Sequence, residues 1–330
     1  MSRAEKLDDD FMLAVEVPLD EIPLIDFAPF LHGSPAERAE VADRIRDACE
    51  RIGFFNLVGH DVPADLRAAL FAQSATFYHQ PEEDKLLAAP PPGSFRGFIP
   101  QPPAADGAHR SRLFEQFRIQ SEWGAIPGLE PELSAIFHQP NRWPPQLPDF
   151  RATCMAYYEA LGGLGRSLAH AFAIGLDLPE DRLDRYFTRP LNQLTLLHYL
   201  SLPDEGGAEL SNTVAHTDDG AFTILAQGEV GGLEVRRRDG SWIAVPPIEG
   251  SYTINVGDML MWWSNGRYLS NLHRVKNRGG RERFSIPFFM NPNGDAIIAP
   301  IEELVPADEA PTYPPVHVGR HMSRYFVKKG

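Results

Sequence analysis

Between residues 191 and 290 the chain runs through eight short apolar segments, each bounded by turn-forming residues, and this pattern constrains the fold more than any other feature. The segments are 194–199, 222–226, 233–235, 242–245, 252–256, 259–263, 272–275 and 284–290. Each suits a strand better than a helix, and Asp239-Gly240 between two of them is a hairpin signal. Strands at this spacing predict a barrel or a double-sheet jelly roll. The 27 glycines and 30 prolines of the 330 residues, about one in six, exclude a helical bundle. If 259–263 is a strand, the adjacent Trp262 and Trp263 face opposite sides of it.

The N-terminal half reads differently. Residues 22–27 suit a short strand. Ser34-Pro35-Ala36-Glu37 has a capping serine, a proline at the first helical position and a glutamate three residues after the cap. Val41, Ile45, Ala48, Cys49 and Ile52 follow at helical spacing, Gly53 ends that helix, and 54–58 reads as a buried strand. A second helix begins near Pro63, with Leu66, Leu70 and Phe77 inward. A long one spans 148–174, its apolar stripe running from Phe150 through Cys154, Tyr157, Leu161, Leu164 and Leu168 to Phe172. The Pro-rich stretch 88–110 suits a lid over a site. The expected layout is one globular unit of α+β class with a mainly β core. It comprises an arm at 1–20, a helix-and-strand region at 21–145, a supporting helix and connection at 146–190, the β core at 191–295, and a closing loop and helix at 296–330.

Composition removes several function classes. Two cysteines, Cys49 and Cys154, cannot build a disulfide framework, a zinc finger or an iron–sulfur cluster. They fit a reducing cytoplasm. No signal peptide or membrane span is visible. The 45 acidic against 31 basic residues, a formal charge of −14, argue against a nucleic-acid partner. A small-molecule substrate and a monomer or small homo-oligomer are expected.

His216-Thr217-Asp218 is the one His-x-acid sequence in the chain. Chance alone supplies about 1.5 such matches at this composition, so its context carries the weight. It falls just before an apolar segment, where a barrel mouth would turn its side chains inward. His273 lies 55 residues after Asp218, in the segment 272–275. Two imidazoles and one carboxylate on one face suit non-haem iron(II), leaving positions open for a bidentate co-substrate and dioxygen. The same set can also serve a zinc hydrolase. Arg283-Phe284-Ser285 separates the two. Residues two apart in a strand share a face, so Arg283 and Ser285 can point together into a barrel with Phe284 outside. A buried guanidinium needs an anion, and a co-substrate carboxylate would supply it.

These motifs, in this order, resemble the isopenicillin-N-synthase-like family of iron(II)/2-oxoglutarate-dependent dioxygenases. The N-terminal marks are Ile22-Pro23-Leu24-Ile25-Asp26 and Gly53-Phe54-Phe55-Asn56-Leu57-Val58-Gly59-His60. The C-terminal marks are His216-Thr217-Asp218, Asn265-Gly266-Arg267-Tyr268, His273-Arg274-Val275 and Arg283-Phe284-Ser285. The resemblance implies a distorted jelly roll, a double-stranded β-helix of cupin type supported by N-terminal helices. It implies Fe(II) ligation by His216, Asp218 and His273, and 2-oxoglutarate binding by Arg283, Ser285 and Tyr199. It also implies consumption of O2, release of succinate and CO2, and benefit from ascorbate in vitro. Hydroxylation of a small metabolite is the default, with desaturation or cyclisation using the same residues. Many relatives carry Asn two residues before the tyrosine; here it is Leu197. Arg96 and Phe98, in Phe95-Arg96-Gly97-Phe98, lie where some relatives hold substrate. Phe222 and Phe288 are further pocket candidates. His60 is expected in a turn, and His317 and His321 on an exposed helix face. A 2-oxoglutarate-independent oxidase like isopenicillin N synthase and a non-catalytic receptor on the same fold are the alternatives. The ending Lys328-Lys329-Gly330 lacks the glutamine of the first, and the intact triad disfavours the second.

Overall fold

The computed structural model describes residues 21–101, 114–122, 124, 129–200, 212–277 and 280–324. The expected arm at 1–20, residues 102–110 of the Pro-rich stretch, the loop at 201–211 and the end of the closing helix lie outside the described residues.

The N-terminal half supplies β1 (Leu24–Asp26), α1 (Ala28–His32), α2 (Pro35–Arg51), β2 (Phe54–Val58), α3 (Ala64–Tyr78), α4 (Glu82–Leu86), β3 (Gly97–Ile99), β4 (Phe114–Gln120), α5 (Pro131–Phe137) and α6 (Phe150–Gly175). The capping box forms as the sequence predicts. Ser34 Oγ accepts from Glu37 N–H, and the Glu37 carboxylate accepts from Ser34 N–H at 2.7 Å.

The C-terminal half supplies β5 (Gln193–Tyr199), β6 (Thr213–His216), β7 (Phe222–Gln227), β8 (Leu233–Arg236), β9 (Trp242–Val245), β10 (Tyr252–Val256), α7 (Asp258–Trp263), β11 (His273–Val275) and β12 (Arg283–Met290). The pair β13 (Ile297–Ile298) and β14 (Val316–His317) and the helix α8 (Val318–Ser323) follow. An eight-stranded sheet runs β1-β2-β10-β7-β12-β5-β4-β3, and a four-stranded sheet runs β6-β11-β8-β9. The two enclose a cavity between them, the jelly-roll arrangement. The far face of the larger sheet is covered by α6, whose predicted stripe is buried throughout. Phe172 meets Phe222 at 5.0 Å between ring centroids, Tyr158 meets Phe288 at 5.2 Å, and the Tyr157 and Tyr252 hydroxyls lie 3.0 Å apart.

One expected strand is a helix. Residues 259–263 belong to α7, because the N–H groups at its start turn to loop carbonyls instead of a neighbouring strand. Asp258 N–H donates to Asp218 O at 2.8 Å and Met259 N–H to Gly220 O at 3.0 Å. A five-residue apolar run has no period that separates strand from buried helix. Trp262 and Trp263 are therefore about 100° apart around a helix rather than on opposite faces; Trp263 is buried and Trp262 half-buried.

Candidate functional site

The cavity has a volume of about 740 Å³ and takes its walls from both sheets. Strand alternation decides which side chains face it. On β12 these are Arg283, Ser285, Pro287 and Phe289, and on β5 Gln193, Thr195, Leu197 and Tyr199. Antiparallel register sets them in rungs: Phe114, Tyr199 and Arg283 form one, and Gln116, Leu197, Ser285 and Gln227 the next.

His216 and His273 are cross-strand partners on β6 and β11, with ring centroids 4.3 Å apart. Asp218 lies just beyond the end of β6. Its Oδ1 stands 3.8 Å from His216 Nε2 and 3.7 Å from His273 Nε2. The ligand atoms of the three lie within 4.8 Å of one another, close enough to share one ion. The remaining polar atoms are already engaged. His216 Nδ1–H donates to Val214 O at 2.9 Å and His273 Nδ1–H to Asn271 O at 3.2 Å, which leaves both Nε2 lone pairs toward Asp218. Asp218 Oδ2 accepts from Thr223 Oγ1 at 2.6 Å and from Asn255 Nδ2 at 2.8 Å, leaving Oδ1 for a metal.

Burial pushes the His273 imidazole down to about 4, so no proton competes for its lone pair at neutral pH. Burial pushes the Asp218 carboxyl up, but His273, His216 and the two hydrogen bonds outweigh it and hold the group below its usual range. Two imidazoles beside an ionised carboxylate are a donor set that suits divalent iron.

The loop carrying Asp218 is gripped by 255–259. Gly257 has no room for a side chain: a Cβ there would lie 2.3 Å from Gly220 O and 3.0 Å from Asp218 O. Gly257→Ala is expected to leave the chain folded but weaken iron binding by about 10- to 100-fold, the usual cost of disturbing groups that orient metal ligands. Iron titration with circular dichroism as the folding control checks this.

Arg283 is 1% exposed, with Nη1 donating to Ser285 Oγ at 3.0 Å and Cζ 4.8 Å from the Tyr199 ring centroid. Its Nε has no partner, and no carboxylate among the described residues pairs with it. Burial lowers its pKa accordingly, partly offset by Tyr199. A guanidinium so enclosed, facing the same cavity as the three candidate ligands, fits a dicarboxylate co-substrate. Phe284 points away, stacked on His198 at 4.7 Å.

The four expected substrate residues are not on the cavity wall. Phe222 and Phe288 occupy the opposite parity of their strands and pack under α6. Phe98 is fully buried against Phe77 and Tyr78. Arg96 is 1% exposed and spends its guanidinium on the carbonyls of Ser121 and Phe137. Their neighbours Phe95, Ile99 and Phe289 line the cavity instead. Thr223, Asn255, Gln116 and the half-buried Arg118 line the cavity, and Gln227 lies behind it, 3.5 Å from Arg283; the sequence does not single them out, though the alternation of β4, β7 and β10 is the signal for them. His60 lies in the irregular link between β2 and α3, its ring bonded to Gly250 O at 2.9 Å. His321 is not on an exposed face. Its side chain is 10% exposed and lies 3.1 Å from Asp219 Oδ1, beside Trp262.

Known proteins resemble this chain in sequence and in fold. Residues 191–292 match the model of the 2OG-Fe(II) oxygenase superfamily, and residues 22–146 match the non-haem dioxygenase in morphine synthesis N-terminal model. The chain is 35% identical over 308 residues to the 2-oxoglutarate-Fe(II) type oxidoreductase hxnY of Emericella nidulans, covering 90% of this chain and 86% of that protein. A full-length Neurospora crassa protein, solved in complex with alpha-KG and thymine, superposes with a TM-score of 0.83 at 28% identity, covering 94% of this chain and 98% of that one. JOX2, solved with 2OG, Fe and JA, superposes with a TM-score of 0.76 at 28% identity, covering 96% and 86%. No helix among the described residues is long and apolar enough to cross a membrane. A jelly roll with an iron-type donor set and a buried guanidinium in one cavity, matched along nearly its whole length, makes this chain an oxidoreductase of the 2-oxoglutarate- and iron(II)-dependent oxygenase superfamily.

Proposed function

We propose that His216, Asp218 and His273 hold the iron, that Arg283, Ser285 and Tyr199 hold 2-oxoglutarate, and that the enzyme hydroxylates a small, planar, polar metabolite. The observation that carries this reading is the buried Arg283 guanidinium, without a carboxylate partner, in the same cavity as the triad. When bound, iron(II) with 2-oxoglutarate and dioxygen supplies the oxidising power, with release of succinate and CO2. The protein's residues orient and enclose. Arg283 and Ser285 fix the far carboxylate of the co-substrate, Tyr199 stacks against the guanidinium, and the apolar wall of Leu197, Pro287 and Phe289 keeps water from the reacting end.

Arg118 supports the substrate class. It lines the cavity from β4, with Nε donating to Gln116 Oε1 at 3.1 Å, and Thr195 is its register partner on β5. A guanidinium, an amide and a hydroxyl on one wall suit a carboxylate or ring carbonyl on a flat molecule. The Neurospora protein was solved with thymine and JOX2 with JA, both small molecules. The buried free thiols of Cys49 and Cys154 suit a reducing cytoplasm.

The test is succinate release with iron(II), ascorbate and oxygen across nitrogen heterocycles and aromatic carboxylic acids. For an accepted substrate, Arg118→Ala is expected to raise its KM by about 10- to 100-fold, the worth of one charge-assisted contact. The KM for 2-oxoglutarate should stay unchanged. Turnover without 2-oxoglutarate would instead favour an oxidase like isopenicillin N synthase.

A further inference from the structure

Behind the co-substrate end of the cavity, on the opposite face of the larger sheet, lies a second cluster of metal-type donors. His79 caps the C-terminus of α3, His198 precedes Tyr199 on β5, and Glu282 precedes Arg283 at the start of β12. Their ligand atoms lie within 4.8 Å of one another. Glu282 Oε2 is 2.9 Å from His79 Nε2 and 3.0 Å from His198 Nε2.

The orientation of His198 distinguishes this cluster from an ordinary surface ion pair. Its side chain is 4% exposed, and its Nδ1 lies 2.7 Å from Glu115 Oε1. Glu115 is itself buried and bonded through Oε2 to Lys85 Nζ at 2.8 Å. A carboxylate behind one ring nitrogen is the support found behind metal-ligating histidines, and it leaves Nε2 as the lone-pair end. That lone pair then faces a carboxylate oxygen, two acceptors that need a cation between them. A proton on His198 Nε2 would fill that gap only by charging the buried ring, whereas His79 can donate to Glu282 from a neutral ring. One divalent ion satisfies all three side chains at once. Lys85 offsets Glu115, so the set keeps the single negative charge of Glu282 when both rings are neutral.

We propose that His79, His198 and Glu282 form a second metal site, for zinc(II) or a similar borderline transition ion, with water completing its coordination from the exposed side. Two nitrogens and one carboxylate are a zinc-type donor set, and ligand bonds of about 2.1 Å in tetrahedral geometry set neighbouring donors about 3.4 Å apart, so the 2.9 and 3.0 Å contacts here would open by about 0.4–0.5 Å around an ion. The ion would tie α3 to β5 and β12 immediately behind Tyr199 and Arg283, and so brace the 2-oxoglutarate end of the cavity.

The test is zinc titration of the chelator-treated full chain. The wild type is expected to bind two equivalents, and Asp218→Ala, which disables the catalytic triad, one. Adding His79→Ala or Glu282→Gln to Asp218→Ala should weaken that remaining equivalent by at least ~100-fold. Zinc should raise the melting temperature of Asp218→Ala but not of the double variants. His79 and Glu282 are roughly half exposed, so neither change threatens the fold, and circular dichroism verifies this. The proposal is overturned if Asp218→Ala binds no zinc, or if its equivalent survives both further substitutions. Either result leaves the assignment of the catalytic iron untouched, because that is read from iron binding and succinate release.

Discussion

Asp218→Asn protein is expected to fold normally, bind iron(II) at least ~1000-fold more weakly than the wild type, and release no measurable succinate. Asp218 supplies the only negative charge among the three candidate ligands, and its two oxygens have separate tasks. Oδ2 accepts from Thr223 and Asn255, while Oδ1 is turned to the imidazoles. An asparagine can place its carbonyl oxygen where Oδ2 was and keep both hydrogen bonds. Its amide nitrogen then occupies the ligand position with protons instead of a lone pair. Shape is retained and charge is lost. The apo protein should lose little stability, since a buried carboxylate and its desolvation cost are removed together. Metal analysis, succinate release and a thermal melt check the three parts. Iron binding and turnover within tenfold of wild type would remove Asp218 from the site.

Much of this is legible in the chain, and the failures have physical reasons. The order His216, Asp218, His273, Arg283, Ser285 can be read because strand alternation and ligand chemistry act on single residues. The jelly roll can be read because seven of the eight apolar segments lie in strands. The eighth becomes α7 because Gly257 and Gly220 let two backbones touch, a tertiary contact with no local signature. Arg96 misleads for a related reason. An arginine near a proposed lid suggests a ligand, but here the carbonyls of Ser121 and Phe137 consume it. In the function proposed above that role falls to Arg118, which lines the cavity from β4, a strand with too many polar residues to read as apolar. Phe222 and Phe288 show the limit of composition as a guide: each is one residue out of phase with the cavity, and in a strand that means the other face.

Arg283→Met is expected to separate co-substrate binding from metal binding. Iron affinity should stay within a few-fold of wild type, because the guanidinium touches none of the three ligands. The KM for 2-oxoglutarate should rise by roughly 30- to 1000-fold, corresponding to about 2–4 kcal/mol for a charged, forked contact. The apo variant is also expected to be no less stable than the wild type. Arg283 is buried with Ser285, Tyr199 and, at 3.5 Å, Gln227 as its hydrogen-bond partners and no carboxylate among the described residues, so its charge lies in the cavity without a counter-ion. Methionine removes that cost and fills similar space. The two proteins should therefore exchange rank when the co-substrate is added. With iron(II) and no oxygen, 2-oxoglutarate at 100 times its Kd stabilises the wild type by about 2.7 kcal/mol, and at the same concentration it should leave the variant almost unmoved. Arg283→Lys should fall between them, keeping the charge but losing the fork that reaches Ser285 and the flat face against Tyr199. If 2-oxoglutarate raises the melting temperature of Arg283→Met as much as that of the wild type, the co-substrate is held elsewhere, and the unpaired charge inside the barrel belongs to the substrate instead.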